Sequence, residues 1–287
     1  MDCSVSVLVT VWNRGRILSE TVNSIFSSSF RDFEVVLVDD CSADDSWEVC
    51  CQLSASSSTV RSFRNSSNLG DYANRNRAAS LARSKYLKYL DADDLIYPHS
   101  LQVMVDALEK FPDAGLALSA NVIDPEVPYP EKVEPPEFFR RHFLGRSPIG
   151  VGPSAAIIRR DCFEAVGGFS GRQFVGDTEL WLKLAERWPV VLLPPALVWW
   201  RRHEGQQMSL EMKKPEVLNV RFRLQLETLR STVNLATSDR TLAEQRLVQH
   251  HARRLLAMAI REGRIRTAWK LWREAPLRYT DLIKGLR

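Results

Sequence analysis

The sequence contains the segment Tyr86-Leu87-Lys88-Tyr89-Leu90-Asp91-Ala92-Asp93-Asp94, in which an apolar run is followed by three carboxylates. The run predicts a β-strand over residues 86–90, and acids that follow a strand lie at the carboxyl edge of a sheet, where open α/β folds bind ligands. Three neighbouring carboxylates repel one another unless a cation or hydrogen-bond donors compensate their charge. We therefore expect Mg²⁺ or Mn²⁺, held by carboxylate and phosphate oxygens. The alternative is that Asp93 and Asp94 cap the helix that starts near Pro98, which explains one acid better than three.

Strands and helices alternate on both sides of this segment. Apolar runs predict further strands at 5–9, 33–38, 60–64, 116–120, 154–159 and 190–193. Helical spacing of apolar residues predicts helices at 17–26, 44–54, 72–83, 98–110 and 177–187. Five prolines and five acids in 124–137 predict a surface loop. The order predicts an α/β fold with a mixed, mainly parallel sheet and helices on both faces.

The pattern changes near residue 213, after which no strand is predicted. Amphipathic helices are expected at 216–235, 239–262 and 264–274, the last with a possible extension over 277–285. We therefore divide the chain into a sheet domain, residues 1–212, and a C-terminal helical extension, residues 213–287. Residues 124–150 and the extension are expected to shape the acceptor side of any active site.

Charge is unevenly distributed along the 287 residues. Residues 213–287 hold 17 Lys/Arg and 7 Asp/Glu, a net charge of +10, whereas the preceding part holds 22 basic and 28 acidic residues, a net charge of −6. The basic helices either contact an anionic surface, such as the inner face of a membrane, or are solvated faces of ordinary helices. No nucleic-acid partner is expected.

The chain has no apolar run of the roughly 20 residues that span a bilayer, and its first residues do not resemble a signal peptide. Five cysteines without a Cys-x-x-Cys pair favour a reduced, cytoplasmic protein that has neither a structural disulfide nor a zinc site.

Several motifs occur in a fixed order. They are Val7-Leu8-Val9-Thr10-Val11-Trp12-Asn13-Arg14, Val36-Leu37-Val38-Asp39-Asp40-Cys41-Ser42, Asn68-Leu69-Gly70, Arg75-Asn76, Leu90-Asp91-Ala92-Asp93-Asp94, Val166-Gly167-Gly168-Phe169, Gly176-Asp177-Thr178-Glu179-Leu180-Trp181 and Arg201-Arg202-His203. Over residues 4–209 the sequence resembles a family 2 glycosyltransferase. The resemblance implies the Rossmann-like GT-A fold and a nucleoside diphosphate sugar as donor.

The resemblance implies a nucleotide site after the first two strands. Trp12 can stack on a nucleobase, or it is a large core residue. Thr10 can hydrogen-bond the base, although the family commonly has Pro there, and Arg14 follows in the same loop. Asp39 can accept from a uracil imide N–H or a ribose hydroxyl, unless it caps the next helix or turn. Cys41 stands where the family has Gly or Asn.

The resemblance also implies roles around the acidic segment. Asp91 and Asp93 form an Asp-x-Asp pattern at the donor. Asp93 is expected to meet either the ribose or the metal, and Asp93, Asp94 and His203 are the candidate metal ligands. The position of His203 in its motif favours a ligand over an ordinary surface residue. Arg75 either reaches a phosphate, supports Asp91 or Asp93, or is an exposed helix residue.

The candidate catalytic residue is Asp177. A carboxylate within hydrogen-bond reach of an acceptor hydroxyl can take its proton as the new bond forms. The alternative is a helix N-cap. The family usually has Glu-Asp where this chain has Gly176-Asp177.

These inferences predict an inverting glycosyltransferase that moves a sugar, with a UDP-sugar as the first choice, to a hydroxyl of a saccharide or lipid-linked acceptor. Inversion is implied by the resemblance alone. A metal-dependent nucleotidyltransferase and a non-catalytic sugar-nucleotide-binding module are the alternatives. The first is expected to have a Gly-rich basic loop after the first strand, which residues 10–15 do not form.

Overall fold

The computed structural model describes residues 3–119, 126–202 and 214–277. The chain divides into two compact units. The sheet unit comprises Met1–Phe138, Ser147–Gly171 and Gly176–Arg201, and the helical unit comprises Phe139–Arg146, Arg172–Val175 and Arg202–Arg287. The domain boundary predicted at 212/213 falls outside the described residues and stays a prediction.

The sheet unit contains ten strands among its described residues. They are β1 Val5–Val11, β2 Phe33–Asp39, β3 Val60–Arg64, β4 Tyr86–Asp91, β5 Leu95–Ile96, β6 Leu116–Ser119, β7 Glu131–Val133, β8 Ala156–Arg159, β9 Val190–Leu193 and β10 Val198–Trp199. Eight of them form one sheet in the order β3-β2-β1-β4-β8-β6-β9-β7, and β5 pairs with β10 in a short antiparallel ribbon.

The sheet is mixed, as predicted. Pairs β1–β2, β2–β3, β1–β4 and β6–β9 are parallel, and the two pairs of β8 and the β7–β9 pair are antiparallel. Helical crossovers cover both faces of the parallel part, so β1 and β2 are buried along their length and mainly apolar. The strand order reverses at β1, which lies between β2 and β4. Such a reversal opens a crevice at the carboxyl ends of the strands.

The described helices are numbered in chain order and mostly alternate with the strands in the sheet unit. They are α1 Gly15–Phe26, α2 Ser46–Ser56, α3 Asp71–Leu81, α4 Ser100–Lys110, α5 Pro135–Leu144, α6 Arg160–Ala165, α7 Gly176–Arg187, α8 Val217–Ser231, α9 Thr237–Ile260 and α10 Ile265–Glu274, with a 3₁₀ turn at Pro153–Ala155. In α1, Leu18, Val22 and Ile25 are buried at helical spacing and join one core with β1 and β2.

One predicted loop is wrong in part. Within 124–137, the structure has strand β7 and the first residues of helix α5, which begins at Pro135. Proline is tolerated in the first helical turn because its missing N–H has no partner there in any case. The sequence reading also missed the two-residue strands β5 and β10 and the short helix α6, which are too short to show a hydrophobic period.

The helical unit has its own core. Ala252, Leu255 and Met258 of α9 pack against Ala268, Leu271 and Trp272 of α10. The three predicted helices are present in the described residues, and residues 278–287 lie outside them. No described helix is long and apolar enough to cross a membrane.

Candidate active site

The acidic cluster lies at the carboxyl end of β4. The chain turns after Asp91, where the Asp94 N–H donates to the Asp91 carbonyl at 2.9 Å. The turn brings one carboxylate oxygen from each of Asp91, Asp93 and Asp94 within 4.8 Å of one another. Asp93 and Asp94 are buried. Burial first, and then the charge of Asp91, raise the pKa of Asp94 to about 7.

This donor set fits a hard divalent cation. Three carboxylates at one point supply oxygen ligands, which Mg²⁺ and Mn²⁺ prefer. A cation also removes the repulsion that raises the Asp94 pKa. His203, the fourth predicted ligand residue, lies outside the described residues.

Three arginines surround the cluster. Arg14 Nε lies 3.1 Å from Asp93 Oδ2 and Arg75 Nη2 lies 2.7 Å from Asp91 Oδ1. Arg201 donates from Nε to the Asp93 carbonyl at 2.9 Å and from its backbone N–H to Asp94 Oδ1 at 3.2 Å. The predicted residues Arg14 and Arg75 therefore meet the cluster, and the β10 end of the short ribbon is attached to it through Arg201.

Arg75 is buried and supports the cluster through Asp91. Its Nε also bonds to Asp71 one helical turn away, at 2.8 Å, and these two carboxylates raise its pKa against the effect of burial. Its Nη1 is buried without a hydrogen-bond partner among the described residues. The exposed-residue alternative is thus wrong, and a direct phosphate contact stays a prediction.

The ends of β1 and β2 lie beside the cluster because β1 separates β2 from β4. Thr10 pairs in register with both Val38 and Asp91. Trp12 follows β1 and is 50% exposed, so it is not a core residue. An exposed indole at the carboxyl edge is available for stacking on a planar ligand.

Asp39 ends β2 and is fully buried. Its Oδ2 accepts from the Ser42 N–H at 3.1 Å and pairs with Arg64 Nε at 3.2 Å. Its Oδ1 has no hydrogen-bond partner in the described part of the chain. A buried acceptor without a donor is costly, which makes this oxygen a candidate ligand contact.

Asp40 has a different environment. Its carboxylate accepts from Asn65 Nδ2 at 2.8 Å and from the backbone N–H groups of Leu69 and Gly70 at 2.8 and 2.9 Å. These bonds fix the loop that leads into α3. Asp40 therefore has a structural role. Asp39, in contrast, has a carboxylate oxygen that a ligand could bond.

The loops after β1 and β2 are joined to each other. The Asn13 N–H donates to Ser42 Oγ at 3.0 Å, and Asn13 Oδ1 accepts from the Ala43 N–H at 2.9 Å. Both loops contain a residue in the left-handed region, Asn13 at φ 53° and Cys41 at φ 58°. The backbone at Cys41 explains why Gly or Asn is usual in such a turn.

Asp177 lies in the first turn of α7 and is half-buried. Its Oδ1 accepts from the Thr178 N–H at 2.7 Å. Burial raises its pKa, with Arg75 acting in the opposite direction. The helix begins one residue earlier, at Gly176, so Asp177 is not at the cap position. A carboxylate with a raised pKa is suited to take up a proton.

Tyr72, which the sequence reading missed, fixes the backbone before Asp177. Its hydroxyl accepts from the Gly176 N–H at 3.0 Å, and its ring stacks on Phe169 with centroids 5.3 Å apart. A Cβ at position 176 would lie 2.6 Å from the Tyr72 ring. The ring thus occupies the space that a side chain at 176 would need.

Lys88 and Ser154 were also not identified from the sequence as residues of the site. Lys88 is fully buried in β4, and Ser154 of the 3₁₀ turn accepts from the Asp91 N–H at the start of the acidic turn. A lysine inside an otherwise apolar strand is the signal that could have identified the first. No signal in the sequence identified the second.

Comparison with known proteins agrees with this geometry. The family model "Glycosyl transferase family 2" matches residues 6–167, more than half of the chain. The chain belongs to glycosyltransferase family 2. The model's range includes Asp39, Arg75 and the acidic cluster.

Curated glycosyltransferases are distant relatives of the chain. Glycosyltransferase GlyG of Streptococcus pneumoniae is 24% identical over 223 residues, which is 72% of this chain and 73% of GlyG. Putative glycosyltransferase EpsE of Bacillus subtilis is 35% identical over 107 residues, which is 37% of this chain and 38% of EpsE.

Solved glycosyltransferase structures share the fold. S. aureus TarS 1–349, crystallised in complex with UDP-GlcNAc, has a TM-score of 0.68 at 19% identity, over 86% of this chain and 72% of that one. Mannosyltransferase PcManGT from Pyrobaculum calidifontis, in complex with GDP-Man and Mn²⁺, has a TM-score of 0.63 at 17% identity, over 94% of this chain and 74% of that one. The predicted GT-A fold is confirmed.

Proposed function

We propose that this family 2 enzyme transfers a sugar from a nucleoside diphosphate sugar to an acceptor hydroxyl with inversion at the anomeric carbon. One observation carries the proposal: the acidic cluster and the unpartnered oxygen of Asp39 meet at the same edge of the sheet, on either side of β1. The acidic cluster holds a metal and a diphosphate, and Asp39 contacts the nucleoside. Complexes of the structural neighbours with UDP-GlcNAc and GDP-Man support a nucleotide sugar as donor.

Asp93 and Asp94 would hold the metal, with His203 as a further candidate ligand. When bound, Mn²⁺ or Mg²⁺ supplies positive charge for the leaving diphosphate. Trp12 stacks on the base, Thr10 and Asp39 hydrogen-bond the nucleoside, and Arg14 is placed to contact the diphosphate. We choose UDP first, because a carboxylate accepts from the uracil imide N–H.

Asp177 is the proposed base. It takes the proton of the acceptor hydroxyl while that oxygen attacks the anomeric carbon and the bond to the diphosphate breaks. Tyr72 and Gly176 hold the first turn of α7 that presents it. Attack from the face opposite the diphosphate inverts the anomeric centre.

The variant Asp177→Asn tests this assignment. Asn is nearly the same size as Asp but cannot take up a proton. We expect transfer, or donor hydrolysis if no acceptor is found, to fall by roughly 10²–10⁴-fold while the UDP affinity and melting temperature stay near wild type. Near-full turnover in this variant would remove Asp177 from the mechanism and make Glu179 the next candidate.

Donor hydrolysis also separates the reaction classes. The wild-type protein is incubated with nucleotide sugars and Mn²⁺, and its products are identified. A nucleoside diphosphate supports sugar transfer. With added pyrophosphate, formation of a nucleoside triphosphate and a sugar 1-phosphate would indicate a nucleotidyltransferase, a class that family membership argues against, and no turnover at all would favour a binding module.

The helical unit supports a further part of the proposal, contact with an anionic membrane from the cytoplasmic side, where a lipid-linked acceptor is held. Ile265, Trp269 and Arg273 follow one another at four-residue spacing on α10 and therefore share a face. Ile265 is 67% and Trp269 52% exposed. Trp beside Arg on an exposed helix face is typical of interfacial helices.

A further inference from the structure

Lys88 is fully buried in the middle of β4. Its ammonium group donates to the Tyr89 carbonyl at 2.7 Å and to the Ser154 carbonyl. A charge removed from water is costly unless it is hydrogen-bonded, and burial lowers the Lys88 pKa to about 7. Lys88 therefore attaches the 3₁₀ turn Pro153–Ala155 to the strand that carries the acidic cluster.

The hydroxyl of Ser154 contacts the start of the acidic turn. Ser154 is 6% exposed, and its Oγ accepts from the Asp91 N–H at 3.0 Å. A buried N–H without an acceptor is costly. The Ser154 hydroxyl therefore fixes the backbone at which the acidic turn begins.

The Arg201 N–H donates to Asp94 Oδ1 at 3.2 Å, at the end of the turn that Ser154 holds at Asp91. No arginine or lysine of the described residues forms a salt bridge with this carboxylate, in contrast to Asp91 and Asp93. The orientation of Asp94 before a cation arrives thus depends on a neutral donor and on the backbone of the turn. Groups that orient metal ligands in this way typically change metal affinity by 10–100-fold when removed.

We propose that Ser154 is a positioning residue of the metal site, and that Lys88 holds Ser154 in place through its carbonyl. The proposal rests on the proposed function in one respect, namely that Asp94 is a metal ligand. It extends that function to a part of the chain, the turn before β8, that contains no acidic ligand.

The test compares Ser154→Ala with a matched variant, Ser119→Ala. Ser119 is also buried, at 5% exposure, and donates from Oγ to the Pro194 carbonyl at 2.9 Å, but it lies at the end of β6 and makes no bond to the acidic cluster. Both variants lose one buried serine hydroxyl. Ser154→Thr keeps the hydroxyl and serves as the conservative variant.

Mn²⁺ affinity is measured by calorimetry at saturating UDP, and the melting temperature is measured without metal. We expect Ser154→Ala to bind Mn²⁺ about tenfold or more weakly, with Ser119→Ala and Ser154→Thr near wild type and the two alanine variants similar in melting temperature. Wild-type Mn²⁺ affinity in Ser154→Ala would overturn the proposal, as would an equal loss in Ser119→Ala. Absence of Mn²⁺ binding in the wild-type protein would instead overturn the metal site itself, and this inference with it.

Discussion

Asp39→Asn gives the sharpest test of the nucleoside contact, because the surroundings of Asp39 decide how the new amide is oriented. The Oδ2 position must accept from the Ser42 N–H and face Arg64. An amide nitrogen cannot accept, so the asparagine oxygen is expected there. Its NH₂ group then occupies the Oδ1 position, the site without a partner.

The substitution therefore replaces an acceptor with a donor at the point where a uracil imide N–H is expected. A hydrogen bond to a charged group is worth about 1.5–3 kcal/mol, which corresponds to a roughly 10- to 150-fold increase in the Kd for UDP. Binding of a ligand that lacks the imide N–H should change much less. UDP methylated at N3 of uracil is such a ligand.

The assay is calorimetry of UDP and of 3-methyl-UDP, each with Mn²⁺, on the wild-type and variant proteins. We expect the variant to bind UDP more weakly than the wild type does and to bind 3-methyl-UDP with nearly the wild-type affinity. An equal loss for both ligands would assign Asp39 to the ribose. Unchanged UDP affinity in a folded variant would refute the reasoning that the unpartnered oxygen is a ligand contact.

Three further outcomes are expected. Gly176→Ala places a methyl group 2.6 Å from the Tyr72 ring and should destabilise the protein by about 1–3 kcal/mol in thermal unfolding, whereas Gly152→Ala, with open space around it, should not. Burial lowers the pKa of His251 from 6.5 to about 4, so the unfolded state binds the proton first and stability is lost as pH falls below 6.5. This residue should reduce the free energy of unfolding of the helical unit by about 2 kcal/mol between pH 7.5 and 5. His251→Gln should remove that contribution and leave that of His142, whose pKa burial also lowers to about 4. Trp269→Ala should reduce co-sedimentation with anionic liposomes at low salt, and absence of pelleting by the wild type would contradict membrane contact.

The fold was predictable where the hydrophobic period is long or the run is continuous. Strands β1, β2 and β4 are buried on both faces, so each is a mainly apolar run, and β2 and β4 end in an aspartate. β7 was not predictable because it has only three residues and two of them, Glu131 and Lys132, are charged. Its position depends on antiparallel pairing with β9, a contact distant in sequence.

The site was predictable where a side chain both follows a strand and carries an ionisable group. Asp39 and the acidic cluster satisfy both conditions, and the structure brings them to one edge of the sheet. The difference between Asp39 and Asp40 could not be predicted, because it depends on backbone donors from the loop before α3. Ser154 lies over 60 residues beyond Asp91 in the chain, and only pairing of β8 with β4 brings its turn close.

The three carboxylates of the acidic cluster differ in how their charge is compensated. Arg75 neutralises Asp91 and Arg14 pairs with Asp93. Asp94 is buried among these acids, and its carboxylate accepts from the backbone N–H of Arg201. A neutral donor offsets less charge than a guanidinium does, and burial together with the charge of Asp91 raises the pKa of Asp94 to about 7. The charge of Asp94 is therefore the least compensated of the three, and a divalent cation bound at Asp94 would stabilise the cluster most.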